Sequence, residues 1–135
     1  KSTQMMEKTR KLAQHARSVG AHVFHLPVMQ CGSGADNPNQ YLGILKNFRT
    51  DKLFVTGSWG AEIVESHAVG INDVLVRNKN GLDGFIGSTL QEELDKYGIE
   101  TIMLCGFLTN CCVESTMRTG YEKGYNVITL TDGCA

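Results

Sequence analysis

Apolar and polar positions alternate along the chain with two different periods. An apolar stripe at Met5, Leu12, Ala16 and Val19 predicts a helix over residues 2–19. Ser2 or Thr3 can cap it, and Gly20 is placed to stop it. Residues 22–28 read as a short strand ended at Pro27. Between Met29 and Asn47 the turn formers Gly32, Gly34, Asn37, Pro38 and Asn39 predict a long loop, of a length that is usually functional or mobile. Residues 53–56 predict another short strand, followed by a turn over Gly57, Ser58, Trp59 and Gly60. Residues 73–77, Asp-Val-Leu-Val-Arg, predict a buried strand. Ser88 with Gln91 three residues on has capping-box spacing and opens a helix carrying Leu90 and Leu94, stopped at Gly98. A strand over 101–107, a helix over 112–123 closed by Gly124, and a strand over 127–131 complete the series.

Strands thus alternate with helices, and the strands are nearly continuous apolar runs. That pattern predicts a mostly parallel sheet with helices on both faces, a three-layer, doubly wound, Rossmann-like α/β fold. A length of 135 residues fits one domain, and no repeat or linker divides it. Ligands of such folds bind outside the carboxyl ends of the strands. Two predicted loops lie there: one begins at Asn78-Lys79, and the other is the run from Gly106 to Cys112.

Composition narrows the function classes. The net charge is -1, and the basic residues are scattered, which gives no footprint for nucleic acid or anionic lipid. No apolar run approaches the roughly 20 residues of a membrane-spanning helix, and no signal-peptide pattern opens the chain. A cytoplasmic setting and a small-molecule partner are expected. The five cysteines are odd in number and irregular in spacing, which argues against a disulfide framework. The four histidines form no HExxH or DxHxxH pattern, so neither metal nor cofactor is expected.

Cys112 is predicted at the start of a helix, where unpaired N–H groups and the helix dipole favour a thiolate. A thiolate can attack a carbonyl, and the same N–H groups can receive the oxyanion that forms. Position alone leaves a second reading open, in which Cys111 and Cys112 are small buried apolar residues. Lys79 near a thiolate in a partly dry pocket can hold and return a proton; alone, it reads equally as an exposed loop lysine. Trp59 reads either as a wall of the substrate pocket or as a core residue. Glu62 and His67 read as structural or surface residues on one face of a short helix, and Cys31, Cys105 and Cys134 as inert.

Taken together, these segments resemble a known family. Lys79, Phe85, the run from Gly87 to Leu90, Leu94 and Gly98-Ile99 are similar to the K-x5-F…T-x-L…L…GI segment of the isochorismatase-like hydrolases. Gly106, Thr109, Cys112, Val113 and Thr116 are similar to the family's G-x2-T-x2-C-V-x2-T signature, with Gly124 and Asp132 following. The likeness covers about residues 57–132 and, more weakly, 20–28. It implies Cys112 as nucleophile and Lys79 as the lysine that shuttles a proton. It also implies a cis peptide at Phe107–Leu108, with the Leu108 and Cys112 N–H groups aimed at the oxyanion. Phe85 and Thr109, with Trp59, are its candidate pocket residues.

The resemblance also has gaps. The family's catalytic aspartate ends a first strand that has no counterpart here, and Asp36 lies in the wrong segment to replace it. The chain therefore reads as a single domain, 1–135, without that strand and without the family's C-terminal helix, and as weakly active in this form. Residues 27–32 lack the Asp-x-His metal motif of nicotinamidases. Vinyl-ether-cleaving isochorismatases need no cysteine, so Cys112 favours cleavage of a C–N bond, amide or ureido, through a thioester. A vinyl-ether-cleaving enzyme and a non-catalytic member serving binding or assembly are the alternatives. Homo-oligomers would follow the family.

Overall fold

A computed structural model describes residues 2–29 and 41–135; Cys31, Asp36 and most of the predicted loop lie outside them. The chain runs α1 (Ser2–Ser18), β1 (Phe24–His25), α2 (Gly43–Thr50), β2 (Val74–Leu75), α3 (Leu90–Lys96), β3 (Thr101–Gly106), α4 (Glu114–Glu122) and β4 (Asn126–Cys134). The fold is α/β, and every described strand pairing is parallel. The four strands form two pairs rather than one continuous ladder. Phe24 and His25 of β1 pair with Val74 and Leu75 of β2, and the Val76 N–H extends the match to the His25 carbonyl. β3 and β4 pair from Thr101–Asn126 to Leu104–Thr129, then slip before Gly106 meets Cys134.

The core gathers Val76, Phe85, Leu90, Leu94, Ile102 and Tyr125, with Leu26, Leu104 and Val127 packed against it. Val76 and Leu94 are almost wholly buried. The core therefore joins the two strand pairs through side chains, with α3 and the segment around Phe85 between them. Gly98 and Gly124 stop α3 and α4 in the left-handed region, at φ of 61° and 92°. Each lets the next N–H turn back into the helix, Ile99 to Leu94 O and Tyr125 to Gly120 O.

Four expectations need correction. Residues 43–47, placed in a loop by the glycines and Pro38 upstream, open α2: Leu45 is buried, and Phe48 meets Phe54 edge to face. Residues 53–56 form no strand beyond a lone bridge at Val55, because Lys52 and Phe54 adopt φ of 50° and 57°, which no strand accommodates. The capping box at Ser88 does not form. The Ser88 hydroxyl accepts from Leu90 N instead, and Gln91 turns to Tyr125 Oη at 2.6 Å. Glu62 and His67 share no helix, since they border and occupy separate 3-10 turns, Trp59–Ala61 and Glu65–His67.

His67 ties its turn to α1. The buried Thr9 hydroxyl lies 2.9 Å from His67 Nε2. Burial first, then the nearby His25 and Arg10, push His67 below the ordinary histidine value. The unfolded chain therefore takes up the proton more readily. This contribution to stability is complete above about pH 6.5 and is lost as pH falls through the lowered folded value. Thermal unfolding between about pH 7.5 and 5 should show that decline, and His67→Gln should flatten it. An equal slope in both proteins would rule the histidine out.

Candidate active site

Lys79 follows β2 where the chain leaves the strand, and its own carbonyl accepts from Met29 N at 2.8 Å. Asn78 just before it has φ of 62°, which turns the chain sharply there. The Lys79 side chain is not an exposed loop lysine: the residue is 2 % exposed, and Nζ donates to Gly81 O at 2.7 Å. Burial pushes the Lys79 ammonium below the ordinary lysine value, while Cys112 and Asp83 oppose that shift by charge, Cys112 also as a hydrogen-bond partner. The fold thus brings Lys79 and Cys112, thirty-three positions apart in sequence, side by side.

Cys112 arrives from the end of β3. The Phe107–Leu108 peptide is cis, as the resemblance implies. A single π-type turn, Thr109–Val113, then leads into α4. Cys112 therefore sits inside that turn, just ahead of the start of α4 at Glu114 rather than at a helix start as expected, and is half-buried. Val113 and Cys111 donate to Leu108 O, and Thr109 N donates to Ala135 O. Among the described residues the Leu108 N–H donates to no acceptor.

The loop after Lys79 is fastened to α4. Gly84 N donates to the buried Thr116 Oγ1 at 2.8 Å, and the Thr119 hydroxyl donates to Asp83 Oδ2. Asp83 Oδ1 accepts from Phe85 N at 2.6 Å. Gly84 leaves no space for a side chain. A Cβ there would lie 2.8 Å from Leu26 Cδ2 and 2.9 Å from Thr116 Cγ2. Gly84→Ala is expected to lower stability by about 1–3 kcal/mol through overpacking, measured by denaturant unfolding; a change below about 0.5 kcal/mol would show the seam is loose.

The remaining predicted site residues scatter. Phe85 is a core residue rather than a pocket wall, because its ring stacks on Tyr125 at 5.8 Å with Ile102 and Val76 around it. Trp59 is 88 % exposed, so it is no core residue. Thr109 is exposed at the start of the π-type turn. Desolvation pushes both Cys105 and Cys134 above the ordinary thiol value, which disfavours either as a thiolate. A hollow of about 650 Å³ lined by Arg17, His22, Asn72, Asp73 and Tyr97 contains neither Lys79 nor Cys112. Among the described residues no group of His, Cys, Asp or Glu is arranged to hold a metal, and no helix is long and apolar enough to cross a membrane.

Sequence reasoning missed Asp83 and Thr119. An aspartate between glycines reads as a turn former, and a threonine inside α4 reads as a solvated face. The three-residue spacing of Thr116 and Thr119, which places both on one helix face, was the available signal.

Known proteins resemble this chain in sequence and fold. The chain is 28% identical over 146 residues to a ureidoacrylate amidohydrolase RutB of Acinetobacter baylyi, covering 99% of this chain and 59% of that protein. It is 31% identical over 140 residues to a ureidoacrylate amidohydrolase RutB of Stutzerimonas stutzeri, covering 95% and 56%. The chain therefore spans less than two thirds of the length of either. The crystal structure of a cysteine hydrolase from Pseudomonas syringae pv. phaseolicola superposes with a TM-score of 0.90 at 30% identity, over 98% of this chain and 61% of that one. A family model described as Isochorismatase domain matches residues 1–135. With the resemblance in sequence and the fold in agreement, the chain belongs to the isochorismatase family.

Proposed function

We propose that the protein hydrolyses the C–N bond of a small amide or ureido compound through a Cys112 thioester. The observation that carries this reading is the buried Lys79 ammonium held against Cys112. A lysine 2 % exposed beside a thiol is costly unless its proton is used or paired. The names of the two relatives, ureidoacrylate amidohydrolases, support the bond class.

In this mechanism the Cys112 thiolate attacks the carbonyl carbon. The oxyanion is received by the Leu108 and Cys112 N–H groups. Lys79 gives its proton to the nitrogen as the C–N bond breaks, and the amine leaves. Water then attacks the thioester, its proton returns to Lys79, and the C–S bond breaks to free the acid and the thiolate. Burial eases each release of that proton by lowering the ammonium below its ordinary value.

The test requires no knowledge of the substrate. Iodoacetamide at neutral pH should alkylate Cys112 at least about tenfold faster than Cys105 or Cys134, read by peptide mass spectrometry. Lys79→Met should remove most of that preference. Equal rates at all the cysteines would favour a non-catalytic member of the family.

A further inference from the structure

We propose that Asp83 is a positioning residue of the site: clasped by Thr119, its carboxylate holds the Lys79 loop on α4 and keeps Lys79 charged beside Cys112. The inference rests on the catalytic reading above and deepens it.

Three contacts carry it. Thr119 donates to one oxygen of Asp83, and Phe85 N donates to the other at 2.6 Å. One residue along, Gly84 N donates to Thr116 Oγ1 at 2.8 Å. Both threonines stand on α4, the helix that continues directly from the turn holding Cys112. The clasp therefore ties the loop that carries Lys79 to the element that carries Cys112, and fixes one against the other.

Charge follows from the same geometry. Among the described residues, the ionisable groups that act on Lys79 are Cys112 and Asp83. Lys79 must hold its proton until the C–N bond breaks, and a buried ammonium without a neighbouring carboxylate would shed it earlier. The Asp83 charge opposes that loss up to the point of transfer, after which the neutral amine takes the proton of the attacking water.

Asp83→Asn separates charge from clasp. The amide can still accept from Phe85 N and still bond the Thr119 hydroxyl, which both donates and accepts. Without the negative charge Lys79 gives up its proton at lower pH. In the full chain, assayed on ureidoacrylate, the alkaline limb of kcat should therefore move to lower pH. At the pH where the wild-type limb is half-maximal, kcat should fall by about threefold or more. The loss should grow with pH, and KM should move by less than about twofold. Thr119→Val should show a smaller shift in the same direction, and Thr119→Ser should restore the wild-type limb. A uniform, pH-independent loss that tracks the melting temperature would overturn the proposal, because it marks a merely structural residue. Should ureidoacrylate not be turned over, the pH profile of Cys112 alkylation supplies the same test. Loss of a neighbouring negative charge should move it to lower pH, and an unchanged profile in Asp83→Asn would overturn the proposal. Failure of the catalytic reading shows separately, as a Cys112 no more reactive than Cys105 in the wild-type protein.

Discussion

Cys112→Ala in the full chain is expected to lower kcat/KM on a small amide by about 10⁴-fold or more. The reason is chemical rather than structural. A methyl group keeps the packing of a half-buried position but offers no atom that can form the acyl intermediate. Cys111 cannot take over, although it is the next residue. Successive side chains on a helical turn point roughly 100° apart, so a thiol aimed at Lys79 from position 112 has a neighbour aimed elsewhere. Lys79 is acted on by Cys112, not by Cys111. Cys111→Ala should therefore keep activity within about threefold of wild type. The pair of variants is measured on a panel of small amides, with the acyl intermediate trapped by acid quench and detected by mass. Retention of more than about one per cent of activity by Cys112→Ala would exclude the thioester route.

The second large effect concerns stability and a residue far from the chemistry. Asp73, just before β2, has a side chain only 2% exposed. It accepts from Arg17 Nη2 at 2.5 Å and Arg17 Nε at 3.0 Å, from Gly70 N at 2.7 Å, and meets His25 Nε2 at 2.8 Å. The contacts join α1, β1 and the approach to β2 at one carboxylate. The Arg17 guanidinium and the Gly70 N–H, followed by His25, hold it far below the usual carboxylate range against the cost of burial. Asp73→Ala leaves the guanidinium, the imidazole and the amide without their acceptor. Removing one partner of a buried pair costs about 3–5 kcal/mol. The Arg17 side chain is 34% exposed, so water recovers part of the loss, and about 2–3 kcal/mol is expected. The sign of the pH dependence follows from the lowered value. The Asp73 contribution is complete above the unfolded carboxylate value near pH 3.8 and disappears as pH falls through the folded one. Wild type and Asp73→Ala should therefore converge in strong acid. A double-mutant cycle with Arg17→Ala, followed by chemical denaturation at about pH 7, measures the coupling directly. Additive effects of the two substitutions would show that the pair contributes nothing of its own.

Much of the fold could be read in the sequence, for a physical reason. Helix stops depend on a few adjacent residues, and Gly20, Gly98 and Gly124 end their helices in the structure as expected. The strand at 101–106 could be read because a continuous apolar run of that length between two helices suits a strand, although only Ile102 within it is buried. Lys79 and Cys112 stood out because each follows a strand of a parallel pairing; that β2 and β3 belong to separate pairs joined through the core was not legible. The tertiary structure decided what depends on distant partners. Phe54 is kept from a strand by its backbone turn and its contact with Phe48 on α2. Thr9, a polar residue on the inner face of α1, is buried because His67, fifty-eight positions later, supplies its partner. Phe85 joins the core because α3, β3 and the segment ending α4 close over it. The role of Asp83 follows from Thr119, thirty-six positions away on another element. Local signals act over three or four residues, whereas burial, charge and hydrogen-bond satisfaction are properties of the space between elements, and that space exists only once the chain has folded.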